Sequence, residues 1–224
     1  MLRFTPEDHA LVTQAVARAE HLSDAEIVTI VAERSDSYHD VALHYAVLAM
    51  LLVPAGLAAV PQSAVDSLTA TFLGWNAELT RGVLMLFLFA LLAAAFLIVR
   101  LALIWGKLRM ALTPGTTKSR RVARRALQLF QVAAEKKTHG RTGVLLYLSL
   151  LERRAEIVAD QAIHSKVEPE VWGEAMEVLI DRVRDGKPGE GMALAVGKIG
   201  EVCTACLPKT LDDPNQLEDR LIEL

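Results

Sequence analysis

The chain has 224 residues, of which 52% are hydrophobic and 23% charged, with a formal net charge of −3 and a mean hydropathy of +0.30. That length holds one or two domains, and the balance is too apolar for an ordinary soluble domain yet too charged for a bare membrane bundle, so a mosaic of both is expected. The acidic balance gives no reason to expect nucleic acid as a partner, and two cysteines, Cys203 and Cys206, are too few for a disulfide framework.

Thr5-Pro6-Glu7-Asp8 has the chemistry of a helix start. Thr5 can cap, Pro6 fits the first helical position, and the acids suit the positive end of the helix dipole. Ala10, Val12, Ala15, Val16 and Ala19 then recur at helical spacing, which predicts a helix to about His21. No apolar core of signal-peptide length follows the first residues. Residues 26–33, EIVTIVAE, are β-branched and apolar and read as a buried strand.

Residues 41–60 and 82–99 contain no charged side chain, and the apolar pattern of the second run continues to Trp105. A hydrocarbon core about 30 Å thick needs roughly 20 helical residues, so both runs read as membrane spans. Pro54 would kink the first, which membrane helices tolerate. The competing reading is a pair of helices buried in a soluble core, but two uncharged runs this long in so short a chain argue against it. Residues 61–81 read as the short connection.

Between Arg100 and Arg141 there are eleven Lys or Arg and one acid, Glu135, leaving 13 basic and 26 acidic residues elsewhere. Positive residues stay on the cytoplasmic side, so the hairpin is expected to enter and leave from the cytoplasm, with Arg100 snorkelling and Trp105 anchoring at the interface.

Beyond Thr113-Pro114-Gly115, Val122, Ala126, Leu129, Phe130 and Ala133 predict one buried helical stripe over about 117–135. Val144–Leu148 and Arg154–Ala159 read as two strands around a charged turn. Pro169 and Gly186 bracket an amphipathic helix, a last helix runs from Gly189 to Leu207, and the acidic tail after Pro208 holds at most one helical turn. The strand before the hairpin cannot form a sheet alone and should pair with 143–149. The expected fold is α/β: a small sandwich of a short mixed sheet packed on helices, with an inserted two-helix transmembrane hairpin. Residues 1–40 and 106–224 form the two parts of one domain, and 41–105 the hairpin, with spans at 41–60 and 82–105.

Several runs together resemble the TPM-domain family. They are EIVTIVAERSDSY from Glu26, Gly143-Val144-Leu145-Leu146 leading into Glu152-Arg153, the helix from Trp172, Gly186 with Gly191, and Leu207-Pro208. The Asn215-Gln216-Leu217 tail is similar to a bacterial branch with an inserted membrane hairpin. The resemblance implies a bacterial inner-membrane protein with cytoplasmic N- and C-terminal parts and a role as an interaction or assembly module. By family association it implies a partner such as a LemA-type membrane protein, or self-association. It also implies an alternative, a divalent-metal phosphatase, since some members are described as acid phosphatases and some bind Ca or Mg through acidic residues. Three places depart from the family pattern: Phe4-Thr5-Pro6-Glu7 stands for Val-Asp-Asp, Arg141-Thr142-Gly143 for Asp-Asn-Gly, and Asp160-Gln161-Ala162-Ile163-His164 for a Gly-rich loop.

Among candidate site residues, Glu152, Asp160 and His164 are the catalytic or metal-ligating types nearest the hairpin, but metal catalysis needs three or more converging ligands and only two lie together locally. Arg153 and Arg154 at the turn can clamp an anion through bidentate guanidinium contacts; a solvated turn is the simpler reading. Lys118, Arg120, Arg121, Arg124 and Arg125 form a basic cluster suited to anionic lipid headgroups, with no aromatic platform for nucleic acid. His39, Asp40 and His44 read as polar anchors at the edge of the first span. Cys203 and Cys206 have redox spacing but fall at a helix end, where no positive dipole lowers a thiol pKa, so they read as structural. No nucleotide loop, G-x-S-x-G or zinc-protease helix is present, and no resident cofactor or metal is expected.

Overall fold

The structure is a computed structural model that describes residues 4–73, 80–133, 142–167, 169–210 and 219–224. The chain divides into an α/β unit, residues 1–36 with 114–224, and a helical unit, residues 37–113.

In the α/β unit, α1 (Pro6–Leu22) begins with the expected cap: the Asp8 N–H donates to Thr5 Oγ1 (3.2 Å) and the Thr5 N–H donates back to Asp8 Oδ2 (2.9 Å). Strand β1 (Glu26–Ala32) is buried along its whole length. It pairs in parallel with β2 (Gly143–Ser149), from Glu26 opposite Gly143 to Ala32 opposite Ser149, which is the pairing the sequence predicts. Strand β3 (Arg154–Ala159) runs antiparallel to β2. The sheet is therefore mixed, in the order β3-β2-β1-β4.

The fourth strand, β4 (Ile222–Glu223), corrects the reading of the tail as at most a helical turn. Leu221 is buried and the Leu224 N–H donates to the Val31 carbonyl at 2.9 Å, so these residues edge the sheet beside β1. Two strand residues are too few to show a period of two, which is why the pattern was silent. Residues 211–218, including Asn215-Gln216-Leu217, lie outside the described residues.

Alternation along β1 and β2 sends side chains to two cores. Ile27, Val31, Val144, Leu146 and Leu148 pack with α1, α8 (Trp172–Arg184) and α9 (Pro188–Cys206). Val28, Ile30, Leu145 and Tyr147 pack with Val122, Ala126 and Phe130 of α6 (Gly115–Ala133). Both faces are covered, which explains why these strands read as continuous apolar runs. Helix α8 ends as its glycine predicts: Gly186 has φ +80°, its N–H donates to the Val183 carbonyl, and the Lys187 N–H reaches the Arg182 carbonyl. The segment after β3 folds as the short helix α7 (Gln161–His164).

The helical unit contains α2 (His39–Ala59), α3 (Gln62–Leu73), α4 (Arg81–Ala102) and α5 (Gly106–Leu112). Helix α2 continues through Pro54, and α2 and α4 pack against each other. The connection read as a short loop is in part helical: α3 occupies 62–73.

Two side chains in the α/β unit test this packing. A Cβ on Gly200 would lie 2.6 Å from Ala19 Cβ, so α1 and α9 meet where only hydrogen fits. Gly200→Ala is expected to destabilise the full chain by about 1–3 kcal/mol, read as a lowered Tm in detergent. Thr29 Oγ1 is buried without a hydrogen-bond partner among the described residues. Thr29→Val, which keeps the shape and removes the hydroxyl, is expected to raise Tm, worth about 1 kcal/mol in the same assay.

Candidate functional site

The two ends of the sheet in the α/β unit differ in chemistry. At the end where β1 and β2 begin, carboxylates face inward and complete the ladder. Glu20 accepts the Ile27 N–H at 2.7 Å, and Asp160 Oδ2 accepts the Gly143 N–H at 2.9 Å. The Asp160 N–H also donates to the Gly143 carbonyl. Both carboxylates are buried. Burial pushes Glu20 up to about 8, against the lowering effect of the Ile27 N–H and with the nearby Asp219 and Glu26 charges adding to the rise.

At the other end stands the β2–β3 turn, Leu150–Arg153, where the Arg153 N–H closes back on the Leu150 carbonyl at 3.3 Å. Arg153 holds the left-handed conformation, φ +50°. Glu152 is buried and turned inward, accepting the Ser35 N–H at 2.9 Å and the Ser149 hydroxyl. Glu152 is thus the tie that holds the turn to the chain leaving β1. At the same end Arg121 of α6 pairs with Asp36 at 2.8 Å.

The candidate catalytic residues do not converge. Glu152 and Asp160 lie at opposite ends of the β2–β3 ladder, whose six rungs at ~3.4 Å per residue separate them by roughly 20 Å. His164 is exposed on α7, and its backbone N–H, not its ring, bonds Asp160, through the carbonyl at 2.9 Å. Among the described residues, no three His, Cys, Asp or Glu side chains are grouped to hold a metal ion. In the helical unit, His39 Nδ1 accepts from Arg109 at 3.5 Å and the His44 ring donates to the Asp40 backbone carbonyl at 2.6 Å. Cys203 is buried, and burial first, then the Cys206 sulfur, pushes its thiol up to about 12, which disfavours the thiolate that redox exchange requires.

The basic residues divide by helix face. At 100° per residue, Lys118, Arg121 and Arg125 border one side of the Val122–Ala126 stripe, Ser119 borders the other, and Arg120 and Arg124 point away from the sheet. Ser119 therefore faces β3. There a cavity of about 300 Å³ opens between the β2–β3 turn, α6 and α8, lined by Ser119, Arg153, Arg154, Glu156 and Arg184 over an apolar floor that includes Met176. Arg153 and Arg154 have no ion-pair partner among the described residues, and Arg184 pairs with Asp181 at 3.2 Å. Burial raises the Glu156 carboxyl. Sequence reading reached Arg153 and Arg154 but neither Ser119 nor Arg184, because three distant segments supply the lining and no spacing links them.

The helical unit has a different surface. Of the most apolar 18-residue window of each helix, 17% is buried in α2 and none in α4. Leu48, Leu51, Leu86, Phe89, Ile98 and Leu101 are exposed. Both helices are long and apolar enough to cross a membrane.

The family model of the TPM domain matches residues 106–202. Strand β1, which lies upstream of that match, completes the same sheet. Among solved structures, the NMR structure of the BA42 protein from the psychrophilic bacterium Bizionia argentinensis aligns with a TM-score of 0.55 at 14% identity, covering 99% of this chain and 95% of that chain; the likeness concerns the fold alone. No curated protein matches the chain.

The Glu20 environment makes a signed prediction. The folded-state pKa of about 8 lies above the ordinary value of 4.5, so the folded chain keeps a proton that the unfolded chain releases. The stability from this group is full below about pH 4.5 and is lost as pH rises to about 8. Glu20→Gln still accepts the Ile27 N–H and does not titrate. Thermal melts of the full chain in detergent between these limits are expected to show a smaller fall in Tm for the variant than for the native chain.

Proposed function

Taking the chain as a TPM-domain protein, we propose that it is a membrane-anchored interaction or assembly module, its α/β unit held at the cytoplasmic face of a bacterial inner membrane by α2 and α4. The observation that carries this reading is the surface of those two helices. An aqueous protein rarely leaves contiguous apolar patches larger than a few hundred Å² uncovered, and leucine, phenylalanine and isoleucine side chains stand outward along both helices. A bilayer removes that surface from water at ~25 cal/mol per Å².

Charge supports the orientation. Arg100 stands in the last turn of α4 and ten further basic residues follow the helix up to Arg141, which fits the positive-inside rule. Lys118, Arg120, Arg124 and Arg125 then lie within reach of anionic headgroups, at about 1 kcal/mol per basic residue near the surface. The partner in the interaction role is another membrane protein, of LemA type by family resemblance, or a second copy of this chain. The alternative, a divalent-metal phosphohydrolase, draws less support, because Glu152 and Asp160 each bond backbone N–H groups at opposite ends of the sheet.

In cells expressing the full chain, the protein is expected in the membrane fraction after alkaline carbonate extraction. Reporter fusions at residues 70 and 224 are expected to report opposite sides. Release into the supernatant, or the same side for both fusions, contradicts the anchor. Crosslinking in native membranes followed by mass spectrometry tests the interaction role: the expected result is a crosslinked species, and recovery of uncrosslinked monomer alone contradicts it.

A further inference from the structure

We propose that the cavity between the β2–β3 turn, α6 and α8 binds a phosphate-type oxyanion through Arg153 and Arg154, with Arg184 at its edge. The inference concerns binding, not hydrolysis, and the site stands whether or not the chain is membrane-anchored; only the identification of a lipid headgroup as the ligand rests on the membrane reading.

Four observations carry it. First, the turn presents two adjacent guanidinium groups to one cavity, and neither has an ion-pair partner among the described residues. Guanidinium groups match the paired oxygens of a phosphate in a planar, bidentate way that an ammonium cannot. Second, Glu152, which also lines the cavity, accepts the Ser35 N–H and the Ser149 hydroxyl, so its carboxylate is engaged by the chain leaving β1 and by the end of β2. Third, the backbone makes room for the second guanidinium. A Cβ on Gly115 would lie 3.2 Å from an Arg154 terminal nitrogen, so the side chain rests against a glycine at the start of α6. Fourth, Val122, Met176 and Ile180 set apolar surface beside the charges, against which the remainder of a phosphorylated molecule can rest.

Among the described residues, Glu156 is the second carboxylate that lines the cavity, beside Glu152. Burial raises its carboxyl above the ordinary value. The cavity of about 300 Å³ exceeds a single phosphate, so the remainder of a phosphorylated molecule fits with the phosphate seated between the arginines. A free phosphate monoester and the headgroup of a phosphomonoester lipid present the same chemistry.

The test titrates inorganic phosphate into the full chain in nanodiscs of neutral lipid, followed by calorimetry. The native chain is expected to bind saturably. The double variant Arg153→Gly with Arg154→Ala, in which glycine preserves the left-handed turn, is expected to lose at least about tenfold in affinity with an unchanged circular dichroism spectrum. Arg18→Ala with Lys198→Ala removes the same charge from α1 and α9, away from the cavity lining, and is expected to change affinity less than about twofold. Glu156→Gln is expected to bind at least as tightly as the native chain. Absence of saturable binding, equal losses in the two charge-removing double variants, or weaker binding by Glu156→Gln each overturn the proposal. Nanodiscs carrying phosphatidic acid, compared with charge-matched nanodiscs carrying phosphatidylglycerol, separate the sources. Competition with inorganic phosphate by phosphatidic acid alone supports the headgroup, and no competition by either supports a soluble ligand. Failure of the membrane reading appears separately, as release by carbonate, and leaves the phosphate titration unaffected.

Discussion

The α/β unit depends on the parallel pairing of β1 with β2. Residues 26–32 and 143–149 are buried on both faces and bond rung by rung, although more than a hundred residues separate them in the chain. Without β2, β1 would expose its backbone groups and two rows of apolar side chains at once. Loop-closure entropy rises only with the logarithm of loop length, so a long insertion costs little more than a short one once the strands match. The pairing also constrains what is inserted. The chain leaves the sheet after Ala32 and α6 returns from Gly115 to cover it. A segment in between that crosses a bilayer must therefore cross an even number of times, and two helices of spanning length are what the sequence supplies.

The two ends of that sheet use charge in opposite ways. At one end Glu20 and Asp160 are drawn inward to accept the N–H groups of Ile27 and Gly143, where an unmet donor would be costly. These acids hold the fold, and their engagement makes them poor candidates for catalysis. At the other end Glu152 alone turns inward, and the arginines of the turn and of α8 are left around a cavity. The basic lining sits at this second end.

Much of the fold was legible because it rests on local rules. Thr5 with Pro6, Gly186, and the Val122–Ala126–Phe130 stripe each act within one or two helical turns, and each behaves in the structure as its chemistry dictates. Strand β1 was legible because burial on both faces leaves an unbroken β-branched run. Strand β4 was not, since two residues carry no period, and α3 was masked by a mixed polar sequence between two far more apolar runs. The cavity was half legible. Arg153 and Arg154 are neighbours in the chain, whereas Ser119 and Arg184 join them only through packing of α6 and α8 on β3. Glu20 gave no signal, because nothing in an amphipathic helix distinguishes a buried carboxylate from a solvated one until the strand it caps is in place.

The central claim is that the outward faces of α2 and α4 meet lipid. The most direct measurement is spin-label accessibility in the full chain reconstituted into bilayers, with Cys203→Ser and Cys206→Ser to remove the native thiols and labels introduced singly at Leu51, Leu86 and Leu97, all exposed positions. The account predicts that all three labels collide readily with dissolved oxygen and are shielded from a water-soluble nickel chelate. Free collision of the chelate with these labels, in preparations where the chain remains folded, would contradict it.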